Sequence, residues 1–260
     1  MTPTNPPKEE GQSVIDHLTE LRKRLLYTVV MLLISTAIAY QFAGQIYGFL
    51  VTPLAQAMGE ESTQRLIYTS LTEGFFTWIK LAFYAALFAT LPFVISQIWL
   101  FIAPGLYRNE RSAILPFLIA TPVLFYLGGA MVYYIIMPLA WDFFLGFQSL
   151  GTDTTLPIQL EARISDYLSF IITLIFAFGL CFQLPVLLIL LGITGLISSK
   201  SLKAKRKFAV VGAFIVGAFL TPPDVISQIG LAIPVILLYE LSIFLVKRVE
   251  NGSKNPSSDL

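Results

Sequence analysis

The feature that most constrains the fold is a set of long segments without a charged side chain. Residues 25–58 and 167–199 contain no Asp, Glu, Lys or Arg. A helix needs about 20 residues to cross a bilayer core of about 30 Å, so each segment is long enough for at least one crossing. A backbone in hydrocarbon must satisfy its own hydrogen bonds, and a helix does so locally. The chain is predicted to be an all-α, polytopic membrane protein.

Composition supports a membrane protein and excludes several classes of site. Of 260 residues, 56% are hydrophobic and 13% are charged, and the mean hydropathy is +0.75, far above a soluble domain. Cys181 is the single cysteine and His17 the single histidine, which excludes an internal disulfide, CxxC and HExxH. No nucleotide-binding loop or GxSxG is found. We expect no cofactor, no metal, no enzymatic activity and no nucleic-acid partner.

The apolar segments predict six transmembrane helices. The first three are expected at about 25–42, 75–98 and 113–137, and the fourth starts near Tyr167. The last two flank Thr221-Pro-Pro-Asp224. Residues 44–72 are predicted to be a loop with some helix, and residues 138–162 a second loop. Residues 208–220 extend only about 20 Å as a helix, so this segment is either a short crossing or re-entrant.

Charge decides between these alternatives, because cytoplasmic loops collect Lys and Arg. With the N-terminus inside, six crossings place every basic cluster on the cytoplasmic side. A re-entrant fifth segment would leave the last cluster outside. We therefore predict six helices with both termini cytoplasmic. The clusters are Arg22–Arg24, Arg108 with Arg111, Lys200–Lys207, and Lys247 with Arg248.

The two termini differ in composition from the segment between them. Residues 1–12 are polar and proline-rich, without a recognisable cleavable signal, and residues 250–260 are rich in Ser, Asn, Gly and Pro. Both are predicted to be disordered tails that flank one domain, residues 13–249. Ser13 and Asp16 fit a capping box, and the pattern that follows predicts an amphipathic helix at the membrane surface before the first crossing.

Prolines recur within or near the predicted spans. Each removes a helix hydrogen bond and can bend the axis, which favours a curved bundle. These residues are Pro92, Pro116, Pro122, Pro185 and Pro234.

Two carboxylates are expected at the cytoplasmic rim, Glu20 before the first crossing and Glu110 at the start of the third. Paired acids that face one groove suit guanidinium groups, since each carboxylate accepts two charge-assisted bonds. A structural alternative stays open for both residues. Glu20 can pair with Arg24 at i+4, and Glu110 is favoured by the dipole of a helix N-terminus.

Three polar groups are predicted within or near the membrane, where such groups are costly and often functional. Lys80 either has a function or extends to the interface, and Asp224 either has a function or caps the last helix. Gln183 either bonds a carbonyl freed near Pro185 or faces a partner helix. Together the three would line the pathway of a secondary transporter or channel. The absence of an internal repeat weakens that reading.

Small residues follow one another in the fifth predicted span, and they permit close approach of another helix. That helix belongs either to this chain or to a partner. The residues are Gly212, Ala213, Gly217 and Ala218.

Three motifs, in order along residues 13–249, closely resemble TatC, the multi-spanning core of the twin-arginine protein translocase. They are His17-Leu-Thr-Glu-Leu-Arg-Lys-Arg-Leu25, residues 101–111, and Leu220-Thr-Pro-Pro-Asp-Val-Ile-Ser-Gln228. The resemblance implies a receptor for signal peptides with paired arginines. It assigns that binding to Glu20, Glu110, Arg22, Phe101, Pro104, Leu106 and Tyr107. It places Pro53, Asp224 and Gln228 in external loops.

The resemblance also implies partners and a location. These are the single-span subunits TatA and TatB, further copies of the chain, and the lipid bilayer, with export driven by the proton gradient. Because no transit peptide is recognisable, a bacterial inner membrane is the expected location, with an organelle as the alternative. Gln183, Gly212 and Gly217 are then expected at partner-helix contacts. Many TatC proteins carry glutamate at the position of Gln183, and glutamine cannot hold charge there. A purely structural scaffold is a further alternative, in which neutral substitution of the rim carboxylates has no effect.

Overall fold

The computed structural model describes residues 14–59, 65–102, 114–149, 156, 158–220 and 225–254. The all-α prediction is confirmed within these ranges, where the β-type pairings are two isolated bridges, Ile67 with Arg163 and Ser149 with Ile158. The helices are α1 (Val14–Gln41), α2 (Ala43–Met58), α3 (Glu73–Ile102), α4 (Ile114–Met131), a π-helical segment (Val132–Ile136), α5 (Met137–Leu145), α6 (Ile164–Cys181), α7 (Leu184–Ile193), α8 (Ser199–Ala204), α9 (Arg206–Leu220) and α10 (Val225–Lys254).

Five helical segments of the described chain are long and apolar enough to cross a membrane. They are His17–Gln41, Glu73–Ile98, Pro116–Leu145, Ile164–Ile193 and Gln228–Asn251. Helix α9 has 15 residues and is shorter than any of them. The chain is therefore a multi-pass helical protein.

The expected surface helix and first crossing form one continuous helix, α1. A helix begins after Ser13 as expected, and it runs without a break into the first crossing, because the change from charged to apolar residues near Leu25 does not end a helix. Both sides of that boundary are rich in residues that favour helix, such as Leu, Lys and Arg.

The third crossing is longer than the sequence suggested. Helix α4 continues through the π-helical segment into α5, so the expected loop from residue 138 begins only after Leu145. Pro138 follows directly on the π-helical segment, in which the Met137 N–H donates to the Val132 carbonyl five residues earlier, and the helix continues past the proline. Helix α10 likewise extends to Lys254, beyond the expected start of the C-terminal tail at residue 250.

Glycine permits a close helix contact in the core, between α4 and α6. A Cβ atom added at Gly128 would lie 2.8 Å from the Phe178 carbonyl oxygen, and one at Gly179 would lie 2.5 Å from the Phe125 ring. Phe125 and Phe178 are themselves fully buried. Small residues thus bring these two backbones together, as is common in membrane helix pairs.

Two prolines inside helices have their missing bonds replaced by tyrosine hydroxyls. Pro53 in α2 cannot donate to the Phe49 carbonyl four residues earlier, and the Tyr133 hydroxyl donates to it at 2.9 Å. Pro92 in α3 likewise leaves the Phe88 carbonyl, which accepts from the Tyr126 hydroxyl at 3.2 Å. The two tyrosines lie seven residues apart and so share one face of the α4 and π-helical segment.

Contacts between helices define two ends of the bundle. At the Glu20 end, the start of α1 lies beside the end of α3, and Glu250 of α10 accepts from the backbone N–H of Ser199 in α8 at 2.8 Å. Ile95 and Ile193 also pack into one apolar cluster there. At the opposite, Glu73 end, the start of α3 meets the start of α6 through Glu73 and Arg163.

Candidate functional site

The first and second sequence motifs meet at the Glu20 end. The His17 ring of α1 stacks on the Phe101 ring of α3, with centroids 4.3 Å apart and planes at 21°. The spacing places Glu20 and Arg24 on the same stripe of α1 as His17, at about one and two turns. The stacking therefore fixes this part of α1 against α3.

Glu20 forms an ion pair with Arg24 through only one of its two carboxylate oxygens, Oε1. Arg24 donates to Glu20 Oε1 from Nε at 3.0 Å and from Nη2 at 2.5 Å. Arg24 Nη1 also reaches Gln97 Oε1 of α3 at 3.4 Å. Within the described residues, no hydrogen bond falls on Glu20 Oε2. The i+4 alternative from the sequence is therefore present, and half of the carboxylate remains available to a further donor.

The environment of this carboxylate is half exposed. The side chain of Glu20 is 27% exposed and that of Arg24 is 22% exposed. Arg22 and the apolar Leu18 and Leu21 of the same helix are exposed. A ligand can thus reach Glu20 from outside the bundle.

Several predicted site residues lie outside the described residues. Glu110 is among them, so the structure does not describe its separation from Glu20. The others are Pro104, Leu106, Tyr107 and Asp224.

Gln183 lies at the break between α6 and α7, just before Pro185. Its Nε2 donates to the Gly179 carbonyl of α6 at 3.3 Å and to the Thr121 carbonyl of α4 at 3.0 Å. The Gly179 bond matches the expectation that Gln183 bonds a carbonyl freed at a helix break. Its Oε1 is buried and accepts no bond from the part of the chain described. Contact of Gln183 with a partner helix stays a prediction.

Lys80 does not lie near Gln183. Its Nζ donates to Ser169 Oγ at 2.7 Å, at the other end of α6 from Gln183. Fourteen residues separate Ser169 from Gln183, which is about 20 Å along a helical path. The structure thus does not bring these two groups into one pathway.

The small residues of α9 face two ways. A Cβ atom at Gly217 would lie 3.2 Å from Gln228 Cγ of α10, so Gly217 packs within the chain. A Cβ atom at Gly212 would have no neighbouring atom within 4 Å, so that side of α9 is open. Gln228 lies inside α10, where its Nε2 donates to the Phe214 carbonyl at 3.1 Å. Pro53, expected in an external loop, is buried inside α2.

A second carboxylate cluster, at the Glu73 end, was not singled out from the sequence. Glu73 accepts from Ser165 Oγ at 2.5 Å, Arg163 Nη2 at 3.0 Å and the Thr69 backbone N–H at 2.9 Å. The Glu73 carboxylate raises the pKa of the Arg163 guanidinium. An acid in the first turn of an apolar helix is a signal for helix capping. Two of its partners, Arg163 and Ser165, lie some 90 residues away, which no local pattern reveals.

Comparisons with known proteins agree with this architecture. Residues 16–234 match the family model described as "Sec-independent protein translocase protein (TatC)". The TatC protein of Magnetococcus marinus is 48% identical over 242 residues, 93% of this chain and 86% of that protein. The TatC protein of Escherichia coli K12 is 40% identical over 236 residues, 91% of this chain and 88% of that protein.

A solved structure shares the fold. It is titled "Crystal Structure of Twin Arginine Translocase Receptor- TatC", has a TM-score of 0.74 and 37% identity, and the match covers 90% of this chain and 99% of that one. The chain therefore belongs to the TatC family and is a multi-pass membrane component of the twin-arginine translocase, a transport protein and not an enzyme.

Proposed function

We propose that this chain is the receptor for twin-arginine signal peptides, with one peptide arginine bound by Glu20 and the other by Glu110. The observation that carries the proposal is the half-satisfied carboxylate of Glu20. It is held by Arg24 on Oε1 and is open on Oε2, at the junction of two sequence motifs. A guanidinium fits there because it offers several N–H donors in a rigid plane.

The charge at this end explains why two carboxylates are needed. Arg24 already neutralises much of the charge of Glu20, and a twin-arginine peptide brings two further cations. One carboxylate cannot balance that total, so a second acid, Glu110, takes the other arginine. Lysine is the poorer ligand, because its ammonium is a point charge that cannot form the planar double contact.

Contacts of α9 support six crossings over five. Arg206, at the start of α9, pairs with Glu240 of α10, whereas Gly217 packs on Gln228 near the start of α10. Glu240 and Gln228 are about 18 Å apart along α10 at 1.5 Å per residue. Helix α9 therefore runs antiparallel to α10, which suits a short crossing better than a re-entrant turn. The positive-inside rule then makes the Glu20 end and both termini cytoplasmic.

The rest of the proposed function follows from the family. The membrane is a bacterial inner membrane, and the partners are TatA, TatB and further copies of the chain. The apolar segment of the signal peptide lies along the concave face, and the open side of α9 at Gly212 takes a partner helix. The proton gradient supplies the energy for export of folded proteins.

The test is binding of a twin-arginine signal peptide and its twin-lysine variant to the purified protein in detergent. We expect arginine to bind about tenfold more tightly, roughly 1.4 kcal/mol, and Glu20→Gln and Glu110→Gln to remove that preference. Glu240→Gln is the matched control, because Glu240 also pairs with an arginine at 2.5 Å. Equal binding of both peptides, or an equal loss in the control, would contradict the proposal.

A further inference from the structure

An apolar cavity of about 520 Å³ lies between α2, α3, α4 and α6. Its lining on α3, residues 81–88, lies mostly in the half of that helix nearer the Glu73 end, and its lining on α6, residues 172–176, lies at and just beyond the middle of that helix. Along α3 the lining extends from about 14 to about 24 Å from Gln97, so the cavity does not overlap the Glu20 site. Lining residues include Leu50, Leu81, Tyr84, Phe88, Ile172 and Phe176.

The cavity offers few hydrogen-bonding groups, although four tyrosines line it. The hydroxyls of Tyr126 and Tyr133 are bonded to the carbonyls of Phe88 and Phe49, where prolines have removed the helix donors. These two tyrosines therefore contribute rings and not free hydroxyls to the wall. The occupant must be apolar, since a polar one would lose its own hydrogen bonds.

The size of the cavity favours a thin occupant. A helix with side chains is 10–12 Å wide with a pitch of 5.4 Å, so each turn occupies roughly 400–600 Å³. The space between the walls, including its open side, is about 1210 Å³, or roughly two to three helical turns, so a longer apolar helix would extend beyond it. A single hydrocarbon chain is narrower and is the surrounding solvent in a membrane. An empty site would lose the dispersion contacts of its lining.

A cation lies next to the cavity, on the side of the Glu73 end. Tyr84 and Phe88 follow Lys80 by four and eight residues on α3, and Ile172 and Phe176 follow Ser169 by three and seven residues on α6. Both spacings keep one helix face. The bond from Lys80 to Ser169 therefore lies about one turn from the cavity, above the same wall.

Two of the three N–H donors of the Lys80 ammonium remain available to a ligand. Lys80 is exposed, and its ammonium carries three N–H groups, of which one reaches Ser169. The nearest acids on α3 and α6 are Glu73 and Asp166, and both contact Arg163, at 3.0 and 4.0 Å. Among the described residues, Lys80 makes no ion pair. A cation without an acidic partner in the described part of the chain, above an apolar cavity, matches a ligand with an anionic head and a hydrocarbon tail.

We propose that this cavity binds one hydrocarbon chain of a membrane phospholipid whose phosphate contacts Lys80. The site is separate from the peptide receptor at the Glu20 end. The phosphate contact gives Lys80 a role outside signal-peptide binding. The hydrocarbon chain fills the cavity whose wall Tyr126 and Tyr133 make apolar.

The test is native mass spectrometry of the delipidated full chain, titrated with palmitoyl-oleoyl phosphatidylglycerol and, separately, with a diacylglycerol of the same chains. Lys80→Gln is expected to weaken the first phospholipid bound by about tenfold, since it loses a charge-assisted bond, and to leave diacylglycerol unchanged. Lys80→Arg keeps the charge and binds like the parent. Lys203→Gln, an exposed lysine of α8 at the Glu20 end, is the matched control and has no effect.

Filling the cavity tests the chain contact. Ala130→Phe, or the milder Ala85→Leu, is expected to weaken both lipids, because both alanines line the cavity. Unchanged phospholipid binding in Lys80→Gln, or in both filled variants, would overturn the proposal. If the filled variants keep lipid but lose the signal peptide, the cavity holds peptide and the proposal is wrong. Lipid is measured without peptide, so this result is independent of the receptor test.

Discussion

The two ends of the bundle each contain a glutamate paired with an arginine. The pairs differ in whether the glutamate carboxylate can still accept a further hydrogen bond. Glu73 is buried, with 8% of its surface exposed, and it accepts from Ser165, Arg163 and both polar groups of Thr69. Glu20 is half exposed and accepts from one arginine on one oxygen. The saturated carboxylate joins two helices, and the half-saturated one is open to a ligand.

The surroundings differ in the same way. The Glu73 end ties α3 to α6 through backbone bonds as well, with the Ile164 N–H donating to the Ile67 carbonyl at 2.8 Å. At the Glu20 end, α1 lies on the outside of the bundle, with none of its membrane-span window buried. The comparison teaches that burial and the number of donors around a carboxylate, and not its residue type, decide whether it is saturated within the chain or can still accept a bond from a ligand.

The largest expected effect is loss of stability on removing the saturated carboxylate. Glu73→Ala should lower the melting temperature in detergent by about 5 °C or more, because it leaves the donors of Ser165, Thr69 and Arg163 without an acceptor. Glu20→Ala should lower it by less than about 2 °C. Thermal unfolding followed by fluorescence measures both. Equal losses at the two ends would remove the distinction drawn between them.

A smaller loss is expected at the tyrosine bonds near the Glu73 end. Tyr133→Phe removes the donor to the Phe49 carbonyl, which Pro53 cannot replace, and should cost about 1 kcal/mol of unfolding free energy. Tyr134→Phe is the matched control, since Tyr134 is adjacent and 71% exposed. If both variants unfold alike, the Phe49 carbonyl does not depend on Tyr133.

The ion pair at the Glu20 end should contribute less again. Arg24→Gln is expected to cost about 0.3–0.5 kcal/mol, the usual value for an i, i+4 pair on a helix whose side chains still reach solvent. The same unfolding measurement tests it. A loss of 2 kcal/mol or more would show that Arg24 anchors α1 to α3 through Gln97, which would make the Glu20 end structural.

The smallest expected effect is that of pH on the Glu73 end. The pKa of Arg163 is raised, so its contribution to stability is complete below the unfolded pKa and is lost only as pH rises through the folded value, which lies far above neutral pH. The difference in melting temperature between the parent and Arg163→Gln should therefore be the same at pH 6 and pH 9. A difference that shrinks between these values would contradict the assigned pair.

The sequence predicts the helical class and the residues of the Glu20 motif because both depend on local patterns. Long uncharged segments indicate membrane-spanning helices, and the spacing of Glu20 and Arg24 indicates an i, i+4 ion pair. The continuity of α1 and the length of the third crossing were missed, since charge boundaries and Pro138 mark neither helix end. Glu73, Gln97 and the tyrosine bonds were missed because their partners are distant in the chain.

The most direct test of the receptor account is a double-mutant cycle between the protein and the peptide. Peptides with each arginine replaced in turn by glutamine are titrated against the parent, Glu20→Gln and Glu110→Gln, with Glu240→Gln as control. We predict a coupling energy of about 1 kcal/mol or more between one peptide arginine and Glu20, and between the other arginine and Glu110. Additive losses, within about 0.3 kcal/mol for every pair, would contradict direct recognition by these carboxylates.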